Sequence, residues 1–297
     1  MNKLKPLPEE WSGLLNNEQK EAIENINGPL LIIAGAGSGK TRVLTYRYAH
    51  LIKTYGINFE NVLAITFTNK AANEMKDRIS DLLNLELSPK WISTFHSLCV
   101  KMLRIHGHLI GFNNNFTIYD QSDSTKLVRN CMRDSDIDTK QYSPKRIQAH
   151  ISSLKNQRIL PGEAVEFAQS FFDVKVAEIY SSYQKKLMLA NSMDFDDLLI
   201  KAVELLETSD KSLNYWSSKF QYIMIDEYQD TNMVQYRLVE LLASKHKNIC
   251  VVGDSDQSIY AFRGADIRNI EEFESDFKDA KVISLEKNYR SSQKILD

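Results

Sequence analysis

The sequence predicts an α/β fold: a parallel sheet flanked by helices, with an inserted all-helical subdomain. Three observations predict it. From about Leu14 to Gly111, short apolar runs alternate with amphipathic segments. Between about Asn114 and Asp194 the strand-like runs disappear while helical patterning continues. The alternation then returns. Strand and helix in succession require crossover connections, and hence parallel strands.

Each element has its own signal. "PLLIIAG" is a short, wholly apolar run, the pattern of a buried strand. "TRVLTYRYAHLIKTYG" follows as a helix, with Val43, Leu44, Ala49, Leu51 and Ile52 on or beside one face and Gly56 as its stop. "NVLAITFT" is a second strand and "NKAANEMKDRISDLL" its helix; "KWISTF" and "HSLCVKMLRIHG" repeat the scheme. The insertion opens with the helical "YDQSDSTKLVRNCMRD", then "SPKRIQAHISSLKNQ" with Ser143 as cap and Pro144 at the first helical position. A longer helix is expected over "AVEFAQSFFDVKVAEIYSSYQKKLMLA", 164–190. "FQYIMIDEYQDT" then reads as strand and loop, "MVQYRLVELLAS" as helix, "NICVVGD" as strand and "AKVISLEKNYRSS" as a last strand leading outward.

Composition excludes several classes. The chain has 297 residues, 43% hydrophobic and 26% charged, enough for a substantial core. Thirty-seven basic against 39 acidic residues give a net charge of −2, so any nucleic-acid contact needs a local surface and not a global field. Cys99, Cys131 and Cys250 are odd in number and far apart, which argues against a disulfide framework or zinc site and for a reducing compartment. No run approaches the ~18 apolar residues of a membrane helix, and the expected location is the cytoplasm.

"AGAGSGKT", Ala34 to Thr41, lies between a buried strand and a helix, the setting a phosphate-binding loop requires. Gly35, Gly37 and Gly39, with Ala36 and Ser38 between them, let backbone N–H groups converge on phosphate oxygens. The helix starting near Lys40 adds its positive end. Lys40 is expected on the β- and γ-phosphates and the Thr41 hydroxyl on Mg²⁺. Ala34 stands where the strict pattern has Gly. At the end of another buried strand, "YIMIDE" supplies Asp226 as the second Mg²⁺ partner and Glu227 as the base for the attacking water. Together the two motifs imply nucleotide hydrolysis.

Seven further words occur in a fixed order: "LNNEQKEAI" from Leu15, "TFTNKAANEM" from Thr66, "STFHSL" from Ser93, "MDFDDLL" from Met193, "DEYQDTN" from Asp226, "GDSDQSIYAFRGAD" from Gly253 and "LEKNYRSS" from Leu285. With them the chain closely resembles the UvrD/Rep/PcrA-type superfamily 1 DNA helicases over nearly its whole length. The resemblance implies a RecA-like P-loop motor domain at 1–113 and 195–284, a helical insertion at 114–194, and the start of a second motor lobe at 285–297. It implies ATP and Mg²⁺ as cofactors, with single-stranded DNA and duplex/single-strand junctions as partners. Gln19 would read the adenine edge, since a side-chain amide both donates and accepts. Arg42 and Tyr289 would flank base and sugar. Gln257 would meet the γ-phosphate or its water, and Arg290 would neutralise transition-state charge. Phe262, where relatives carry an aromatic residue, would stack on a DNA base beside Arg263 and Tyr260. Phe67, Asn69, Thr94 and His96 would touch the single strand.

The implied activity is 3′→5′ helicase action, with a chain that ends just after the second lobe begins expected to bind nucleotide, hydrolyse it weakly and not unwind processively. An ATP-responsive single-strand binder and a small-metabolite kinase are the alternatives.

Overall fold

The computed structural model describes residues 3–85, 89–254 and 273–289. Gln257, Tyr260, Phe262, Arg263, Arg290 and most of 285–297 lie outside the described residues. In chain order the first elements are α1 (Glu9–Ser12), α2 (Asn17–Glu24), β1 (Leu30–Ala34), α3 (Lys40–Tyr55), β2 (Val62–Thr66), α4 (Asn69–Leu83), β3 (Ile92–Thr94) and α5 (Phe95–His106). Next come β4 (Thr117–Tyr119), α6 (Gln121–Asp134), α7 (Pro144–Asn156), α8 (Phe171–Leu189), β5 (Ser192–Asp194), α9 (Phe195–Thr208) and α10 (Asp210–Lys219). The last are β6 (Tyr222–Ile225), α11 (Met233–Ala243), β7 (Ile249–Gly253) and β8 (Lys281–Leu285).

Two compact units share these elements. The first comprises the described residues of Met1–Leu98, Leu213–Thr231 and Val239–Asp297, and holds a six-stranded sheet of order β3-β2-β6-β7-β1-β8. Every neighbouring pair in it is parallel. The central strands β2, β6 and β7 are buried along their whole length, as the wholly apolar runs foretell, because helices cover both faces of a parallel sheet. Edge strand β8 alternates only partly. The α3 helix runs from Lys40 to its stop at Gly56, as the sequence pattern indicates. Its Val43, Leu44, Ala49 and Leu51 pack with Leu30, Ile32, Val62 and Val252 in the core.

The second unit is Cys99–Ser212 with Asn232–Leu238. Its core joins α6, α7 and α8 through residues such as Val128, Met132, Ile147, Ile151, Val176 and Tyr180. Two expectations need correction here. The insertion is not all-helical: β4 and β5 form a parallel ladder, pairing Thr117 with Ser192 and Tyr119 with Asp194. Three-residue strands are too short for a period of two to register. The long helix begins at Phe171 and not at 164, because the Ser170 hydroxyl accepts the Asp173 N–H and caps it there. Pro144 does open α7, although the Ser143 side chain makes no capping bond.

Candidate functional site

The candidate residues gather where parallel strands end. The loop 35–39 follows β1, Asp226 and Glu227 follow β6, Asp254 follows β7, and Phe67 and His96 follow β2 and β3. In open α/β sheets the carboxyl ends of the strands form the ligand side.

The loop is built for close approach. Gly37 and Gly39 have φ of +76° and +94°, in the left-handed region that glycine enters without steric cost. A Cβ on Gly39 would lie 2.8 Å from Gln19 Nε2, so a side chain there would also have to displace the Gln19 amide. Ser38 Oγ donates to the Gly35 carbonyl at 2.8 Å and closes the turn. Gln19 is buried, and both ends of its amide are engaged. Its Nε2 donates to the Ser38 carbonyl at 3.0 Å, while Oε1 accepts from Asn16 N–H in the capping box of α2. The Asn288 Nδ2 donates to the Ala36 carbonyl and the Tyr289 N–H to the Gly37 carbonyl. Tyr289 is half exposed, its hydroxyl accepting from Asn16 Nδ2 at 2.9 Å. The Arg42 guanidinium lies over the Tyr46 ring.

Beside the loop sits a group of acids around one ammonium. Lys40 Nζ is buried, lies 3.4 Å from Glu227 Oε2 and 3.6 Å from Asp254 Oδ2, and has no hydrogen-bond partner among the described residues. Thr41 Oγ1 donates to Asp226 Oδ2 at 3.1 Å. Burial first, and the neighbouring Glu227 charge second, push the Asp226 carboxyl up to about 6. The same two causes raise Asp230 to about 6. Glu227 takes φ +52°, a left-handed conformation uncommon outside glycine. Its carboxylate accepts from Gln229 Nε2 at 2.9 Å, and the Gln229 Oε1 accepts from the Asp254 N–H at 3.0 Å.

This set fits a nucleotide triphosphate with Mg²⁺. A buried ammonium with two long carboxylate contacts and no hydrogen bond among the described residues suits anionic oxygens, and a hydroxyl facing a carboxylate is a hard oxygen pair of the kind Mg²⁺ accepts. The glycine-lined loop ends at the N-terminus of α3, where backbone N–H groups and the helix dipole favour phosphate.

Thr94 ends β3, while Phe67, Asn69 and His96 follow the carboxyl ends of the neighbouring strands β2 and β3. Phe67 is half-buried and meets Phe95 edge to face, with centroids 6.4 Å apart. Asn69 is exposed at the start of α4. Thr94 is buried, its hydroxyl exchanging hydrogen bonds with Ser97.

A family model described as the UvrD/REP helicase N-terminal domain matches residues 15–278. The chain belongs to that family. It is similar to the ATP-dependent DNA helicase PcrA of Staphylococcus epidermidis and of Staphylococcus aureus, at 50% identity over 283 residues in each case. That alignment covers 95% of this chain and 39% of each relative, so the chain spans about two-fifths of their length.

Around this loop and acid cluster the sequence alone does not single out three residues. Asp254 directly follows a buried apolar strand, the same signal that marks Asp226, and deserved the same weight. Gln229 lies inside "DEYQD" but has no local signature, because its two partners are a side chain two residues back and a backbone 25 residues on. Asn288 meets the loop across 252 residues, a contact no periodicity reveals.

Proposed function

We propose that this chain is the ATP-binding part of an ATP-dependent 3′→5′ DNA helicase acting in the cytoplasm on single-stranded DNA and duplex/single-strand junctions. One observation carries the reading: the buried Lys40 ammonium, without a hydrogen bond among the described residues, beside a left-handed glycine loop and opposite Glu227 and Asp254. The backbone N–H groups of 35–39 would wrap the phosphates of ATP, and Lys40 would exchange its long carboxylate contacts for phosphate oxygens. Thr41 and Asp226 would hold Mg²⁺, which when bound neutralises charge on the phosphates. Glu227 would orient the attacking water and accept its proton. Gln257 and Arg290 would act at the γ-phosphate. Gln19 would reach adenine by giving up the Ser38 carbonyl, with Arg42 and Tyr289 near the base and sugar.

Phe67, Asn69, Thr94 and His96 support a DNA track beside the nucleotide, because β2 adjoins β6 in the sheet. Tyr260, Phe262 and Arg263 would extend it by stacking and phosphate contact, at about 1–3 kcal/mol per stacked base. The relatives that bear the helicase name are much longer than this chain, so unwinding is proposed for a protein of that length. For the 297 residues alone, the proposal is nucleotide binding with weak turnover.

The test is ATP hydrolysis with and without single-stranded DNA, on this chain and on one of the relatives' length. Turnover strongly stimulated by DNA only in the longer protein is the expected result. Turnover indifferent to DNA in both would overturn the reading in favour of a small-molecule kinase.

A further inference from the structure

The side chain of Gln229 spans two acidic residues that face the same ammonium. Its Nε2 donates to Glu227 Oε2, the oxygen that lies 3.4 Å from Lys40, while its Oε1 accepts from the backbone N–H of Asp254, whose carboxylate lies 3.6 Å from Lys40. Gln229 is 1% exposed, so neither bond competes with bulk water. A carboxylate needs a donor and a peptide N–H needs an acceptor. A primary amide offers both at one end of a short chain, whereas Glu can only accept when ionised and Met provides neither strongly. The Glu227 backbone is held at φ +52°, so its carboxylate is aimed by its surroundings and not by a relaxed local conformation.

We propose that Gln229 is a positioning residue for ATP hydrolysis: its amide fixes the Glu227 carboxylate relative to Asp254, so that when Lys40 turns to phosphate the base stays aimed at the attacking water. This rests on the ATPase reading and deepens it. Both of its side-chain bonds go to protein groups, Glu227 and the Asp254 backbone, so it acts through Glu227. A misplacement of the reacting groups by about 1 Å costs on the order of 10²-fold in rate.

Gln229→Glu separates positioning from fold maintenance. When ionised, it keeps the acceptor for the Asp254 N–H and loses the donor to Glu227, so the comparison is made at a pH well above the carboxyl's titration. In the full-length protein, with single-stranded DNA present, the expected outcome is kcat lowered about 10- to 100-fold, within the cost of such a misplacement, with KM for ATP nearly unchanged. Gln229→Met should lower kcat at least as far. In a Glu227→Gln background, single-turnover rates should show no further loss on adding Gln229→Glu, because a residue acting through Glu227 has nothing left to aim. A folded Gln229→Glu protein with wild-type kcat would overturn the proposal. So would losses in kcat and KM together that add fully to those of Glu227→Gln, the mark of a general structural role. Failure of the wild-type protein to show DNA-stimulated turnover would instead remove the functional reading itself, and it would be seen before any variant is compared.

Discussion

Lys155 in the helical unit and Lys40 in the sheet unit each set a buried ammonium opposite two acidic residues, and their surroundings differ in hydrogen bonding. Lys155 Nζ lies 2.7 Å from Asp194 Oδ2 and 2.7 Å from Asp197 Oδ1. Tyr183 donates to the same Asp194 oxygen and Gln184 to the same Asp197 oxygen. The two acids also form the capping box of α9, each accepting the other's backbone N–H. Burial pulls the Lys155 ammonium down, but Asp197 and Asp194 outweigh it and hold it above the ordinary lysine range. Lys40 also faces two carboxylates, at 3.4 and 3.6 Å, and has no hydrogen bond among the described residues. A saturated buried ion cluster is architecture. An unsaturated one, at a glycine loop, is a place where a ligand completes the coordination.

The largest expected effect tests the saturated side. Lys155→Met strands two buried carboxylates and should cost about 3–5 kcal/mol, read as a lower denaturation midpoint followed by the helical signal. Next comes the unsaturated side. Lys40→Met should remove about 10²–10³-fold of ATP turnover by deleting a preorganised donor to the phosphates. Its effect on stability should be smaller than that of Lys155→Met, since no directed bond is broken. If Lys40→Met destabilised the protein as strongly as Lys155→Met, the contrast between cluster and site would fail.

The contrast also explains what was legible in the sequence. A phosphate loop fixes residue types locally: glycine where φ is positive, Lys and Thr at the helix start, all within eight consecutive residues. Asp226 and Glu227 were legible because acids that end an apolar strand are conspicuous. The sheet was legible because β2, β6 and β7 are continuous apolar runs. Lys155 gave no signal. Its partners lie 39 and 42 residues away, and in the sequence it is one more lysine on an amphipathic helix. Gln19 was legible as a motif residue, but its bond to Ser38, 19 residues on, was not. The two short strands β4 and β5 were lost for want of length.

A third test adjusts the unsaturated site without touching Lys40. The folded Asp226 carboxyl titrates at about 6, above the ordinary aspartate value of about 3.9, so the folded state binds that proton more tightly than the unfolded chain does. The ionised form therefore burdens the fold at neutral pH, and the burden is relieved as pH falls from about 6 towards about 4. Asp226→Asn should stabilise the metal-free protein at pH 7 by an amount on the order of 1–3 kcal/mol. That advantage should shrink on acidification through the same window, while Mg²⁺-dependent turnover is lost. Denaturation midpoints at several pH values check the sign: an Asn variant less stable than wild type at pH 7 would mean that the carboxylate is already compensated.

The smallest effect concerns a lysine in neither class. Lys53 Nζ meets Glu10 Oε1 at 2.5 Å, closer than any pair at Lys155 or Lys40, yet the two side chains are 44% and 59% exposed. Water screens the attraction and two long side chains lose freedom to make it, so Glu10→Gln should cost about 0–1 kcal/mol. Added salt should shrink even that, whereas the penalty of Lys155→Met should hardly change. The packing of Lys53 over the Trp11 ring survives the substitution and limits the loss further. If Glu10→Gln proved as costly as Lys155→Met, proximity alone would govern these pairs. Burial and hydrogen-bond saturation would then lose their place as the variables that distinguish a structural lysine from a working one.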